Sequence, residues 1–329
     1  MTTALLFLSS LVLVVVAAEL FTNAIEWAGY QLDLGSGATG SLLAALGTSL
    51  PETVVPIVAL ATHAPDANSV ATGAVLGSPF LLLGVGAGAT GIAVALRRRR
   101  RALVIGAGQA RRDLGVFICA FSVAVVSSLL PAGARIVVGI ALFATYAGYV
   151  VATLRGSGRA TAMPEPLHIV RWRPGRPHPV LVTLQLAIAV TLLVFGSQLF
   201  VTALGQTASA LRVPALVLAL VVVPVATELP ETLNSLLWVR TDDDVLAFGN
   251  IAGSAAFQSC VLAGIGVIFT TWRPGSAGYI SATLTIGTAI FLLAVLWRGR
   301  ARGTLLVLTL VPWIVYVIAQ VVTAGRLGL

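Results

Sequence analysis

Three glutamates, Glu52, Glu228 and Glu231, stand in stretches otherwise built of apolar residues. A charged side chain in such a place costs about 2.5–3.5 kcal/mol even on a lenient membrane-insertion scale, so it needs partners or a purpose. Glu52 and Glu231 each directly follow a proline, in Thr48-Ser49-Leu50-Pro51-Glu52 and Thr227-Glu228-Leu229-Pro230-Glu231. Proline lacks a backbone N–H and frees the carbonyl one turn earlier, which leaves Thr48 and Thr227 near exposed backbone oxygens. Carboxylate, carbonyl and hydroxyl oxygens at one depth form an all-oxygen set suited to a hard cation such as Ca²⁺ or Na⁺. The plainer reading is a pair of protonated glutamates that hydrogen-bond two helices together. Packing does not require two copies in related places, and this favours ion binding.

Further polar groups follow each glutamate. Asn250, Ser254 and Gln258 recur every four residues and therefore share one helix face. At the corresponding places the first half of the chain keeps only Ser78, with Ala74 and Leu82 beside it. Such a stripe serves equally as glue between helices; for Gln258 both roles stay open, whereas Ser78 and Ser254, as a shared pair, group with the ion site. Glu228 lies about one turn before Glu231 and so on nearly the same face. Two carboxylates this close repel, and one of them is expected to carry a proton until a cation displaces it. The other reading puts Glu228 in an entry vestibule, where it only attracts cations.

These residues sit in a chain that repeats itself. Shifting the sequence by 179 places Thr48 to Thr53 on Thr227 to Thr232 and Leu20-Phe21 on Leu199-Phe200, and a shift of 176 matches Gly73, Gly77 and Ser78 to Gly249, Gly253 and Ser254. The elements that carry the repeat are membrane helices. Of the 329 residues 58% are hydrophobic and only 10% charged, against about 25% charged in a soluble domain, which excludes a soluble enzyme and a disordered chain. The apolar runs are long and unbroken, as in helices rather than barrel strands. They predict an all-α polytopic membrane protein with about ten spans, near 3–26, 39–62, 68–95, 113–131, 134–154, 179–205, 213–238, 244–270, 277–297 and 303–322. Residues 1–154 form one half of five spans and 179–329 the other, joined by a basic, proline-rich linker at 155–178. Because five is odd, the second half enters the membrane from the opposite side, so the repeats are inverted, a design common in transporters with a midplane site.

All 20 basic residues are arginine, and the net charge is +8. With the N-terminus outside, sixteen of them fall on inner segments (Arg97 to Arg101, Arg111, Arg112, the linker, Arg240, Arg298, Arg300 and Arg302), leaving Arg135, Arg212, Arg273 and Arg326 outside. The positive-inside rule therefore predicts a plasma-membrane protein with both termini outside and a cytoplasmic linker. The arginine runs are topology signals and not a nucleic-acid surface. Cys119 and Cys260 lack ligand-like neighbours, so neither a disulfide framework nor a zinc site is expected. His63, His168 and His178 belong to loops and carry no assigned role. The apolar N-terminus lacks a basic leader region and aligns within the repeat, so it is read as a retained helix.

The motifs Gly47-Thr48-Ser49-Leu50-Pro51-Glu52 and Ala226-Thr227-Glu228-Leu229-Pro230-Glu231, each followed by a Gly-x-x-x-Gly-Ser element, resemble the cation/calcium antiporter superfamily, in particular bacterial sodium/calcium exchangers. The resemblance spans both halves. It implies ten helices, two repeats packed face to face, a central Ca²⁺ site flanked by Na⁺ sites, and alternating access by sliding of the first and sixth helices. Carried over, Glu52 and Glu231 would be the Ca²⁺ carboxylates, Thr48 and Thr227 would supply backbone oxygens, and Ser49, Ser78 and Ser254 would be further ligands. The family's second motif commonly reads Gly-Asn-x-x-Gly-Ser-Asn-x-x-Asn or Asp, whereas this chain has Ala74, Pro79 and Leu82 in one half and Ala255 and Gln258 in the other. Glu228 stands where the family often has serine. The expected function is secondary antiport of Ca²⁺ against Na⁺ or H⁺, with inorganic cations as cargo and no resident cofactor. The alternatives are a proton-coupled exchanger independent of sodium and a membrane protein that kept the fold without turnover.

Overall fold

In the computed structural model residues 2–32, 49, 51–62, 66–97, 101–155, 163–171, 175–211 and 213–326 are described. In chain order the helices are α1 (Thr2–Gln31), α2 (Pro51–Ala61), α3 (Ala67–Ala95), α4 (Ala107–Val126), α5 (Ala132–Arg155), α6 (Pro179–Leu211), α7 (Ala215–Thr227), α8 (Leu229–Arg240), α9 (Asp244–Phe269), α10 (Gly275–Val295), α11 (Gly303–Val307) and α12 (Leu310–Arg326). Among the described residues eight helical segments are long and apolar enough to cross a membrane, and shorter apolar helices occupy Glu52–Ala61 and Ala215–Val225, where the second and seventh spans are expected. The chain is thus an all-α multi-pass membrane protein.

Burial separates the helices into two classes. α3 and α9 are 94% and 89% buried over their most apolar windows, against 17–39% for the other spanning helices. These two are therefore the centre, and the apolar surface of the rest faces lipid. α1 lies along α6, α7 lies across the first half of α3, and α4 and α5 close around α9. The approach of α7 to α3 depends on missing side chains: a Cβ on Gly77 would come within 2.3 Å of the Leu220 carbonyl oxygen, and one on Gly73 within 2.7 Å of Leu216 O. Small residues at this spacing let two backbones meet.

Two departures from regular helix stand out. The expected continuous span 213–238 is broken: α7 ends at Thr227, Glu228 stands between helices, and α8 begins at Leu229 with Pro230 in its first turn. Proline is accommodated there because the first turn of a helix has no partner for its N–H. In the first half α2 likewise starts at Pro51; Thr48 and the rest of 33–48 lie outside the described residues. Secondly, α3 and α9 each widen into one π-turn, at Leu82–Gly86 and Gln258–Leu262. These turns start at positions equivalent under the 176-residue shift. Only α3 has a proline just before its π-turn, Pro79, so proline is not their common cause.

The loops gather at two ends. At one end β1 (Ala102–Val104) pairs antiparallel with β2 (Arg300–Arg302). There Arg97 binds Asp244 and the Val239 carbonyl, and Val104 N donates to Asp244 Oδ2 at 2.8 Å. Linker residues also dock on α1: Trp27 Nε1 donates to Glu165 O at 2.7 Å, and Gln185 Nε2 of α6 donates to Asn23 Oδ1 at 2.9 Å and Leu20 O at 2.8 Å. At the other end Ser128 meets Tyr279, Arg135 binds the Thr271 carbonyl, and Thr271 N donates to Asn68.

Candidate functional site

Two interruptions of regular helix meet in the middle of the molecule. Glu228 sits at the α7–α8 break, Glu231 in the first turn of α8, and Glu52 in the first turn of α2. All three are fully buried. One carboxylate oxygen from each lies within 4.8 Å of the other two. Starting a helix at a proline directs the next residues' side chains to the helix N-terminus, where backbone N–H groups and the helix dipole favour negative charge.

The first residue of the α9 π-turn ties the cluster together. Gln258 Nε2 donates to Glu228 Oε1 and Oε2 at 2.9 and 3.0 Å and to Glu52 Oε1 at 3.3 Å. Glu228 is therefore part of the cluster and does not face an open vestibule. Ser49 faces Glu52 and Ser78 faces Glu228, each short of a hydrogen bond of ordinary geometry. Their hydroxyls, with Ser254 Oγ, Glu52 Oε2 and Gln258 Oε1, are buried without a hydrogen-bond partner among the described residues. Buried polar atoms are normally satisfied, and oxygen acceptors left over around three carboxylates form a donor set for a hard cation.

The remaining predicted residues act at one remove. Asn250 Nδ2 donates to Glu231 O at 3.0 Å and Ser235 Oγ at 3.2 Å, so it holds the backbone that carries the carboxylate. The Thr227 hydroxyl turns back to Val223 O at 3.2 Å, which leaves the side chain committed to its own helix. Thr53 supports Ser49 in the same way, through a 2.9 Å bond to its carbonyl. Thr53 and Ser235 were not among the expected site residues. Thr53 has a signal in the sequence, since it is the last residue of the repeated motif and matches Thr232; Ser235 has none, because its first-half counterpart is Pro56. Sequence reasoning also passed over Asp113, a buried carboxylate of α4 paired with Arg112 at 2.9 Å, away from this cluster.

The sodium/calcium exchanger protein family model matches residues 2–155 and 181–322. The chain belongs to that family. Among curated proteins, the putative antiporter CaxA of Alkalimonas amylolytica is 33% identical over 125 residues, a stretch covering 36% of this chain and 38% of CaxA. Among solved structures, an H⁺/Ca²⁺ exchanger, CAX, superposes with a TM-score of 0.81 at 16% identity, over 98% of this chain and 85% of that one. The sodium-calcium exchanger NCX_Mj superposes with a TM-score of 0.64 at 19% identity, over 96% and 97%. This exchanger-family chain therefore shares its fold with both. The two stretches that the family model matches leave out residues 156–180, nearly the whole of the linker.

Proposed function

We propose that the protein is a secondary antiporter that exchanges Ca²⁺, or a related divalent cation, across the plasma membrane. Membership of the exchanger family supports antiport, and the carrying observation is the convergence of Glu52, Glu228 and Glu231 to within 4.8 Å in a fully buried position. In this reading Glu52 and Glu231 hold the divalent ion, Ser49, Ser78 and Ser254 supply hydroxyl oxygens, Thr48 and Thr227 supply backbone oxygens, and Asn250 and Gln258 position the acidic groups. The two halves, 1–154 and 179–329, act as inverted repeats around this site.

The counter-ion is Na⁺ or H⁺, and one observation favours a proton. Three carboxylates carry one more negative charge than a divalent cation neutralises, and excess charge in a dry site is expensive. One proton retained beside the cation balances it, and in the cation-free cluster further protons take the cation's place and leave as it enters. The depleted polar positions Ala74 and Leu82 weaken the case for extra Na⁺ sites in the first half. Uptake of Ca²⁺ into proteoliposomes, driven first by a Na⁺ gradient and then by a pH gradient, separates the readings. Flux with the pH gradient alone establishes proton exchange, flux with Na⁺ alone establishes sodium exchange, and flux with neither shows a fold without turnover.

A further inference from the structure

The linking loop after α3 and the loop before α11 build a second charged site at the arginine-rich end of the molecule. Between them lies a cavity of about 1020 Å³ lined by Ala95, Arg101, Arg298, Arg300, Arg302 and Thr304, among others. Strand periodicity explains how the arginines converge. Side chains alternate along a strand, so with Ala301 buried opposite Leu103, Arg300 and Arg302 project from the other face of the small sheet. Arg101 immediately precedes β1, and Arg298 precedes the turn at Gly299, whose φ of 70° suits glycine. No acidic residue lines the cavity, and among the described residues no Asp or Glu pairs with any of the four arginines.

We propose that this cavity binds the phosphate headgroup of an anionic phospholipid. Like charges crowded without counter-charge repel, and a phosphate is the group whose geometry the guanidinium fork matches. Its depth fits a lipid and not a free solute. α3 leaves its membrane span at Ala95 and the last span enters at Gly303, so the cavity lies where the spans end. The exposed Leu305 lines it, and the exposed Leu96, Trp297 and Leu308 stand within three residues along the chain of its lining residues. Exposed apolar side chains beside a basic pocket receive acyl chains, and a tryptophan at this level marks the headgroup region. The site shares no residue with the carboxylate cluster, so it stands whether or not the transport reading holds.

The test uses the full-length protein in nanodiscs of phosphatidylcholine, with or without phosphatidylglycerol, followed by extraction into mild detergent and native mass spectrometry of retained lipid. Wild type is expected to retain phosphatidylglycerol in preference to phosphatidylcholine. Arg300→Gln with Arg302→Gln should weaken retention by about 25-fold, taking roughly fivefold for each arginine near an anionic surface. Arg273→Gln, at the opposite end, should leave it unchanged. Should the double variant not be recovered, Arg298→Gln alone is expected to weaken retention about fivefold. Equal retention of the two lipids by wild type, undiminished retention by the arginine variants, or full displacement of phosphatidylglycerol by millimolar inorganic phosphate would each overturn the proposal.

Discussion

Gln258 is a neutral side chain placed where it must satisfy two acidic ones, since its amide nitrogen reaches both Glu52 and Glu228. Replacing it by leucine, the residue at the equivalent first-half position, would remove the donor and leave two carboxylates facing each other. Gln258→Leu is accordingly expected to keep the protein in the membrane but to make Ca²⁺ uptake more sensitive to acid, measurable as a shift of the uptake–pH curve to higher pH. The carboxylates themselves give a sharper outcome. Glu52→Gln or Glu231→Gln keeps the shape and removes the charge; loss of a buried charge contact costs about 2–5 kcal/mol, or roughly 30- to 5000-fold in affinity. Divalent flux in both single variants should fall to background while thermal stability changes little or rises, because a buried charge is costly to the fold. Wild-type flux in both would remove them from the site. For Glu228 the discriminating measurement is pH dependence. A proton on the cluster competes with the cation, so wild-type uptake should climb as pH rises, and Glu228→Ser should flatten that climb; superimposable curves would exclude Glu228 from proton exchange.

At the level of helices, the contact between α3 and α7 is set by Gly73 and Gly77. Gly77→Ala must push α7 away from α3, since the new Cβ would otherwise lie 2.3 Å from a backbone oxygen. Overpacking of this kind costs about 1–3 kcal/mol, whereas Gly115→Ala, with nothing within 4 Å of its Cβ, should be neutral or slightly stabilising. Melting temperatures of the two purified variants check this, and equal values would deny the close approach. The repeated Gly-x-x-x-Gly was visible in the sequence, as were the paired Pro-Glu motifs, because both recur under a simple shift. The helix break at Glu228 was only half visible: Pro230 announces it, but apolar residues on both sides read as one span. The start of α4 at Ala107, six residues before the expected 113, was hidden by Arg111 and Arg112, which lie over Trp297 and Tyr149 while the helix continues beneath them. The π-turns left no trace, since they change backbone hydrogen bonding without changing composition.

For the molecule as a whole, the arginine-bearing segments 96–97, 101–106, 240–243 and 296–302 are joined by backbone pairing and by Arg97, while Arg135 and Arg273 belong to the opposite end. Charge is thus segregated in space as it is along the chain. The positive-inside rule turns that segregation into an orientation. A cysteine introduced at the exposed Met163, in a background with Cys119→Ser, should resist a membrane-impermeant reagent in intact cells and react after permeabilisation. Reaction in intact cells would invert the assignment of both termini.

The two wide turns imply a phase relation between the ends of the central helices. An α-helix advances about 100° per residue, and a π-turn holds one residue more than the α-helical turn it replaces. Wound as a regular spiral with every residue kept, α9 would carry Ala263–Phe269 about 100° out of step with Asp244–Phe257; the wide turn takes up the extra residue and holds the two segments in phase. In that uniform spiral the contact between this last segment and α5, so close that a Cβ added to Gly139 would lie 2.4 Å from Ile268 and one added to Gly264 3.2 Å from Phe143, could not form while Gln258 kept its aim. Each central helix thus serves two partners that a uniform spiral of the same residues could not face at once, and the wide turn is what reconciles them.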